Sequence, residues 1–400
     1  MAGKIIMYFK TIKKGLDMKI KFLIILALAF SFMACENQEN EFDDFGSTSV
    51  YFPFQTPVRT LILGEYDLGF NENDNNGRFE IGVVMSGVYE NKIDRRVHFE
   101  LAPELIDPVQ LAGIGVDSVN VKVLPAAYYT IEQQSPVTIP SGSTKGRIPV
   151  QLEDAFFDDP LSFAEFGEVH YVIPLRITDY EELDSLLTGV PAEGVTNPIK
   201  VKADDWDQAP KDYTLYGIKF MNKYQGIYLR RGEDKIVGTS EKFTLATGIT
   251  ETTVIDTSTV YRAEFVVQDE LTPVSTAGRN KAISTNLIRR AGIPSNSTVS
   301  LELTFNDNEE ITITNADDES DIVITGSGRF LEDGDEWGGE KRDVIYLEYE
   351  YRDLEIVETL VFGQVRSRST LDLMHTVKDT LVIRDRDVKF EEFILELRIP

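Results

Sequence analysis

Apolar and polar residues alternate with a period of two through most of the chain beyond Ser47. The runs "RFEIGVVM" (78–85), "RRVHFEL" (95–101) and "GRIPVQL" (146–152) put every second side chain on one face. A period of two is the signature of a half-buried strand, and these runs are rich in the β-branched and aromatic residues that fit a pleated surface. Turn-formers separate them: "NENDNNG" (71–77), "SGSTKG" (141–146), and the prolines at 125, 136 and 140. Short strands at this spacing predict an antiparallel sandwich. In the second half, "TVSLELTFNDNEEITITN" (298–315) alternates on both sides of a turn, as a hairpin does. "DIVITGSGRFLEDGDEWGGEKRDVIYLEYEYRD" (321–353) repeats that layout with a Gly-rich acidic tip.

Two stretches depart from the pattern. "DYEELDSLLTG" (179–189) fits one short helix, with Leu183, Leu186 and Leu187 on one side and Gly189 as a stop. "NKAISTNLIRRAG" (280–292) has room for a helical turn. Residues 190–212 mix Pro, Gly and acidic residues, which places a domain boundary near 205. The expected class is all-β: a β-sandwich over 47–204, then a second antiparallel domain over 205–400. Periodicity leaves that second domain open between a sandwich and a closed barrel.

The first 35 residues read differently. "MKIKFLIILALAFSFMAC" (18–35) has two lysines, an apolar run from Phe22 to Met33, then Ala34 and Cys35. The run is about a dozen residues, short of the roughly 20 that span a bilayer. This is the order of a secretory signal, with Met18 as its natural start and residues 1–17 as an upstream extension. "FMAC" resembles a bacterial lipobox, although Phe32 stands where Leu is usual; that resemblance implies acylation of Cys35. Residues 36–46 form an acidic tether too polar to build a core. Its "ENQENEFDD" is similar to the acid-rich signal that sends lipoproteins of Bacteroidota to the outer face of the outer membrane. The expected address is therefore the cell outer membrane, lipid-anchored and facing outward.

Charge narrows the partners. The chain carries 67 acidic and 40 basic residues; without the six Lys and one Asp of residues 1–35 the net is −32. Such a surface repels phosphate backbones, which argues against nucleic acid. A single cysteine forms no internal disulfide.

Enzyme signatures are missing: no G-x-S-x-G, Walker loop, H-E-x-x-H or dinucleotide fingerprint occurs. His98, His170 and His375 are scattered, each more readily a partner for an adjacent strand than a catalyst. With no His/Cys cluster and no EF-hand spacing (Val83 stands where the bidentate Glu belongs), no metal and no cofactor is expected. A two-carboxylate glycosidase is the enzymatic alternative, but no pair of acids is singled out by position.

Trp337 sits among Gly334, Gly338 and Gly339 at a hairpin tip, beside Asp335 and Glu336. A sugar's C–H face stacks on an indole while carboxylates take its hydroxyls, so these three residues are the candidate ligand site. The equal alternative is a ring folded back over the sheet edge. Trp206 in "KADDWDQAP" is expected to wedge the two domains together. The paired arginines of "YLRRGEDK" (228–235) and "LIRRAG" (287–292) are expected in solvent-side ion pairs, with an anionic-sugar site at Arg230 or Arg231 as the minor reading.

"YYTIEQQSPVTIPSGSTKGRIPVQL" (128–152) resembles extracellular immunoglobulin-like modules. "APKDYTLYGIKFMNKYQGIYLRRG" and "DTLVIRDRDVKFEEF" resemble the opening and ending of the C-terminal module of two-domain lipoproteins from gut Bacteroidota. The resemblance implies an immunoglobulin-like sandwich, a second β module, and service beside glycan-uptake systems. The expectation is non-catalytic glycan binding, with polysaccharide or components of an outer-membrane transporter as partners. A structural or adhesive envelope protein without a sugar site is the alternative.

Overall fold

The alternating runs fold as strands. The computed structural model describes residues 46–65, 71–106, 118–119, 121–290, 293–317, 319–337, 339–393 and 397–398, with Ser47–Pro400 as one compact unit. Cys35 and the acidic tether up to 45 lie outside the described residues. No helix among the described residues is long and apolar enough to cross a membrane.

The first half is a sandwich. Its strands are β1 (Ser49–Tyr51), β2 (Pro57–Ile62), β3 (Arg78–Ser86), β4 (Arg95–Leu101), β5 (Tyr129–Ile131), β6 (Val137–Ile139), β7 (Lys145–Leu152), β8 (Tyr171–Glu181) and β9 (Tyr213–Met221). One sheet runs β1-β3-β7-β5 and the other β2-β9-β8-β4-β6. Alternate residues meet between them: Ile81 and Val83 on β3, Ile148 and Val150 on β7, Ile173 and Leu175 on β8. Each such side chain contributes roughly 1.5–3 kcal/mol of burial. β8 and β9 read as continuous apolar runs because a second cluster covers their other face, through Val172, Tyr213, Leu215, Leu105 and Phe393.

β9 lies beyond the boundary expected near 205, yet it pairs antiparallel with β8 and parallel with β2. The chain's end returns to the same sheet, where Glu391–Glu392 pairs with β2. Trp206 does not wedge two domains. Its indole N–H donates to the carbonyl of Ile199 at 2.9 Å, and its ring covers Gly189, where a Cβ would clash.

The helix expected over 179–189 is absent. β8 continues to Glu181, Glu182 turns the chain at φ +59°, and Ser185–Leu186 pairs with β1. Leu183 and Leu186 pack on the sandwich core, so the apolar positions are used by a sheet edge instead. Residues 281–290 are likewise strand: Ala282, Ser284, Asn286 and Ile288 point inward in a period of two. In both places long-range pairing outweighs local helical spacing.

The second half is β10 (Gly226–Thr244), β11 (Ile249–Tyr261), β12 (Glu270–Gly278), β13 (Lys281–Arg290), β14 (Ile293–Phe305), β15 (Glu310–Asn315), β16 (Ile324–Trp337), β17 (Glu340–Val361) and β18 (Gln364–Asp385). β12 through β18 pair in order, β10 pairs with β12, and β10 also pairs with β18. That last pairing closes eight strands into a barrel and decides the alternative left open by periodicity. Eight strands enclose just enough room for side chains. At one end Tyr224 stacks on Phe305 with centroids 3.5 Å apart, and Phe330 meets both edge-on. A Cβ at Gly326 or Gly328 would fall 2.5 or 2.3 Å from a backbone oxygen of β17, so glycine lets these strands approach.

The other end of the barrel is polar. Arg230 is bound to Asp379 at 2.9 Å, and Tyr349 and Tyr261 both donate to that carboxylate. His375 Nδ1 lies 2.9 Å from Asp234, with its ring stacked on Tyr351 at 4.5 Å. Above this layer β10, β11, β17 and β18 outrun the ring. β11 continues the pairing of β10 from Gly232, and β17 beyond Tyr351 pairs with β18 alone. The result is a four-stranded arm, ordered β11-β10-β18-β17, that extends about 30 Å at 3.3 Å per residue.

Candidate functional site

Of the predicted trio at the β16–β17 tip, Asp335 and Glu336 point to opposite faces of the strand. Asp335 and Glu336 are exposed and stand opposite Arg342 and Lys341, and Asp335 accepts from the N–H of Glu336 next to it. Successive strand residues face opposite sides of a sheet, so their carboxylates diverge. Trp337 closes β16 opposite Glu340, and its side chain lies outside the described residues.

The arginine pairs are more deeply committed than expected. Arg230 holds Asp379, Arg231 holds Asp269 at 2.6 Å, Arg289 holds Glu270, and Arg290 holds Asp353 at 2.7 Å and also Glu355. Arg230 is buried, so its charge is balanced inside the barrel and not at a solvent face. The anionic-sugar reading of Arg230 and Arg231 has no free guanidinium to use. His98 and His375 each meet a carboxylate on the neighbouring strand, Glu181 and Asp234, as strand histidines do.

A cleft of about 490 Å³ lies on the sandwich, where the β1–β2 turn faces β9 and the C-terminal segment. Volumes of this size hold small molecules. Phe54 follows Pro53, whose ring interrupts the alternation and turns the chain outward. Phe390 reaches over from the C-terminal segment. The two rings sit 5.4 Å apart at 52° and stay 46% and 68% exposed. Tyr216 forms an inner wall, stacked on Phe79 at 5.6 Å. Gly82 lines the opposite side, and a Cβ there would meet nothing within 4 Å.

Polar groups are few but placed. Thr214 is on the same face of β9 as Tyr216; it lines the cleft, is buried, and its hydroxyl has no partner among the described residues. Arg59 lies at the lip, tied to Asp74 and to the carbonyl of Thr60 at 2.7 Å. Burial pushes the Asp74 carboxyl up, against the N–H of Ile62 and the Arg59 charge that pull it down. The "NENDNNG" segment thus serves as a brace: its short helix Glu72–Asn75 carries Asp74 to Arg59. Lys389 completes the lip, 2.6 Å from Asp387.

Phe390 is held by the residue after it. Glu391 is buried and bonds Lys219 at 2.7 Å, the N–H of Gly167 at 2.7 Å and the hydroxyl of Thr60 at 3.1 Å. The cleft therefore joins residues 52–62, 81–82, 214–216 and 388–390. Sequence reading missed all of them. The one local signal is "YFPF" (51–54), where aromatic residues ignore the period of two.

This is a β-sandwich followed by an eight-stranded barrel that carries a protruding arm. Residues 43–184 match the family model of an N-terminal domain, and residues 223–387 match that of a domain of unknown function, DUF5627. The second match coincides with the barrel. No curated protein matches the chain. A solved protein of unknown function from Bacteroides ovatus is 28% identical, with a TM-score of 0.67 over 90% of this chain and 100% of that one. A second from Bacteroides ovatus is 14% identical, with a TM-score of 0.37 over 86% of this chain and 99% of the other. An auxiliary nutrient binding protein from Bacteroides thetaiotaomicron is 14% identical, with a TM-score of 0.33 over 82% of this chain and 90% of that one.

Proposed function

We propose that this chain is a lipoprotein of the outer-membrane surface, anchored through Cys35, that binds glycan without catalysis as an accessory to polysaccharide uptake. The observation that carries the reading is the cleft between Phe54 and Phe390. A sugar ring offers apolar C–H faces and a rim of hydroxyls, so it suits two exposed rings, an inner tyrosine and the Arg59 and Lys389 side chains at the lip. Glycoside hydrolysis needs two carboxylates about 5–10 Å apart, and the residues lining this cleft include none. The acidic body suits an uncharged ligand better than a phosphorylated or sulfated one. The surface address rests on the signal-like segment before Cys35 and on the acidic tether after it.

The test is retention of the chain from residue 36 onward on a broad set of immobilised neutral polysaccharides. Binding is expected for at least one of them. Phe390→Ala and Gly82→Leu, which remove a wall and fill open space in the cleft, should each weaken it at least tenfold while leaving circular dichroism unchanged. Failure to bind any polysaccharide sinks the function; binding that both variants preserve moves the site elsewhere. Protease added to intact cells should remove the protein, and full protection would refute the outward orientation.

A further inference from the structure

The two long edges of the arm differ in a way that points to a partner. On β17 the free edge beyond Tyr351 carries Arg352, Asp353, Glu355 and Glu358, and Arg290 from the barrel clamps Asp353 and Glu355. Charges of this kind blunt an edge against strand addition. β11 has no such defence. Its thirteen residues, "ITETTVIDTSTVY", include nine β-branched ones, no Pro, Gly, Lys or Arg, and just two acids, Glu251 and Asp256.

All thirteen pair with β10 in unbroken register, with no bulge to turn the strand aside. Among the described residues no strand pairs with its other edge. Half of the backbone N–H and C=O groups of β11 therefore face outward along about 43 Å. Both faces are open as well: Val254 and Val260 on one are 75% and 68% exposed, and Ile249 on the other is 58% exposed. The arm segments 235–261 and 352–374 hold five basic and seven acidic residues, so this part is close to neutral in a chain of net −27.

We propose that β11 is a self-association edge, and that two copies of this chain join antiparallel through it across a two-fold axis. Three features select a second copy. The defended β17 edge leaves no complementary partner for head-to-tail addition, so the assembly closes as an isologous pair and does not grow into a fibre. A register centred on Ile255 sets all thirteen residues opposite one another, placing Glu251 across from Thr259 and Asp256 across from Val254. No carboxylate then faces a carboxylate; a shift of the centre to Asp256 would bring two together. Finally, the near-neutral arm holds the acidic bodies well beyond a Debye length of about 8 Å at 0.15 M salt, which screens their repulsion. The two arms become one eight-stranded sheet.

Sedimentation velocity on the chain from residue 36, over 1–100 μM at 0.15 M salt, tests this. The parent should run at twice the chain mass, and Val254→Lys/Thr257→Lys, both exposed edge positions, at the single mass with unchanged circular dichroism. Residues directly opposite in an antiparallel pair have Cα atoms about 4.5–5.5 Å apart, within disulfide range. Beyond Cys35 the chain has no other cysteine. Ile255→Cys should therefore link two chains on oxidation, whereas Leu354→Cys on β17 should not. A parent of single mass throughout, a lysine variant still at twice the mass, or equal cross-linking from 255 and 354 would each overturn the proposal.

Discussion

Glu391→Ala is the most informative single change, because one buried carboxylate holds both the C-terminal segment and a wall of the cleft. Glu391 and Lys219 have side chains 7% and 5% exposed and meet at 2.7 Å. Lys219 also donates to the carbonyls of Glu165 and Glu168, at 2.7 and 3.2 Å, but carbonyl dipoles do not neutralise an ammonium in that setting. Alanine would leave that charge uncompensated and strip the acceptor from the Gly167 N–H and the Thr60 hydroxyl. Removing one partner of a buried pair costs about 3–5 kcal/mol. Urea unfolding followed by far-ultraviolet circular dichroism should show a loss of that size. The double variant Lys219→Met/Glu391→Leu removes both charges and keeps the volume apolar, so it should return to within about 1 kcal/mol of the parent. A loss below about 1 kcal/mol for Glu391→Ala would mean that water reaches Lys219, and the docked C-terminal segment would be wrong.

Burial pushes the phenols of Tyr171 and Tyr213 up to about 12, with Asp159 adding to the first and Asp212 to the second. Their unfolded value is near 10, so their stabilisation is complete below pH ~10 and is lost as pH rises toward 12. Absorbance at the tyrosinate band should therefore show two late-titrating tyrosines missing in Tyr171→Phe/Tyr213→Phe. Asp159 resists burial through bonds from the Leu161 N–H and the hydroxyls of Tyr128 and Tyr171, which hold its carboxyl below the usual range. Its contribution is present above pH ~4 and fades as pH falls through the folded value, so Asp159→Asn should flatten the acid limb of stability against pH. Gly328→Val sets a Cβ 2.3 Å from the backbone oxygen of Tyr346 and should destabilise the barrel by about 1–3 kcal/mol; stability equal to the parent would contradict the strand spacing.

The strands were legible because their signal is local. β3, β4, β7 and the β14–β15 hairpin each show inward and outward residues within eight or ten positions of sequence. The errors occurred where a local rule met a distant partner. Leu183, Leu186 and Leu187 have helical spacing, but β1 lies waiting 136 residues upstream, at Ser49 opposite Ser185. The tip around Trp337 sets a rare residue among glycines, yet adjacent strand positions point Asp335 and Glu336 apart. Phe54 and Phe390 looked ordinary because each stands alone in its own segment.

Taken alone, the sequence determined the β class, most of the strand positions and the turn chemistry, all of which depend on neighbours a few residues away, and it carries the signal-like segment ending at Cys35. Tertiary structure decided what those strands enclose. The β10–β18 pairing that closes the barrel joins Ile227 to Asp385, and the cleft unites Phe54 with Phe390. Separations of this length leave no periodic trace in the chain. They are selected when two sheets bury their apolar faces and a buried carboxylate finds its lysine.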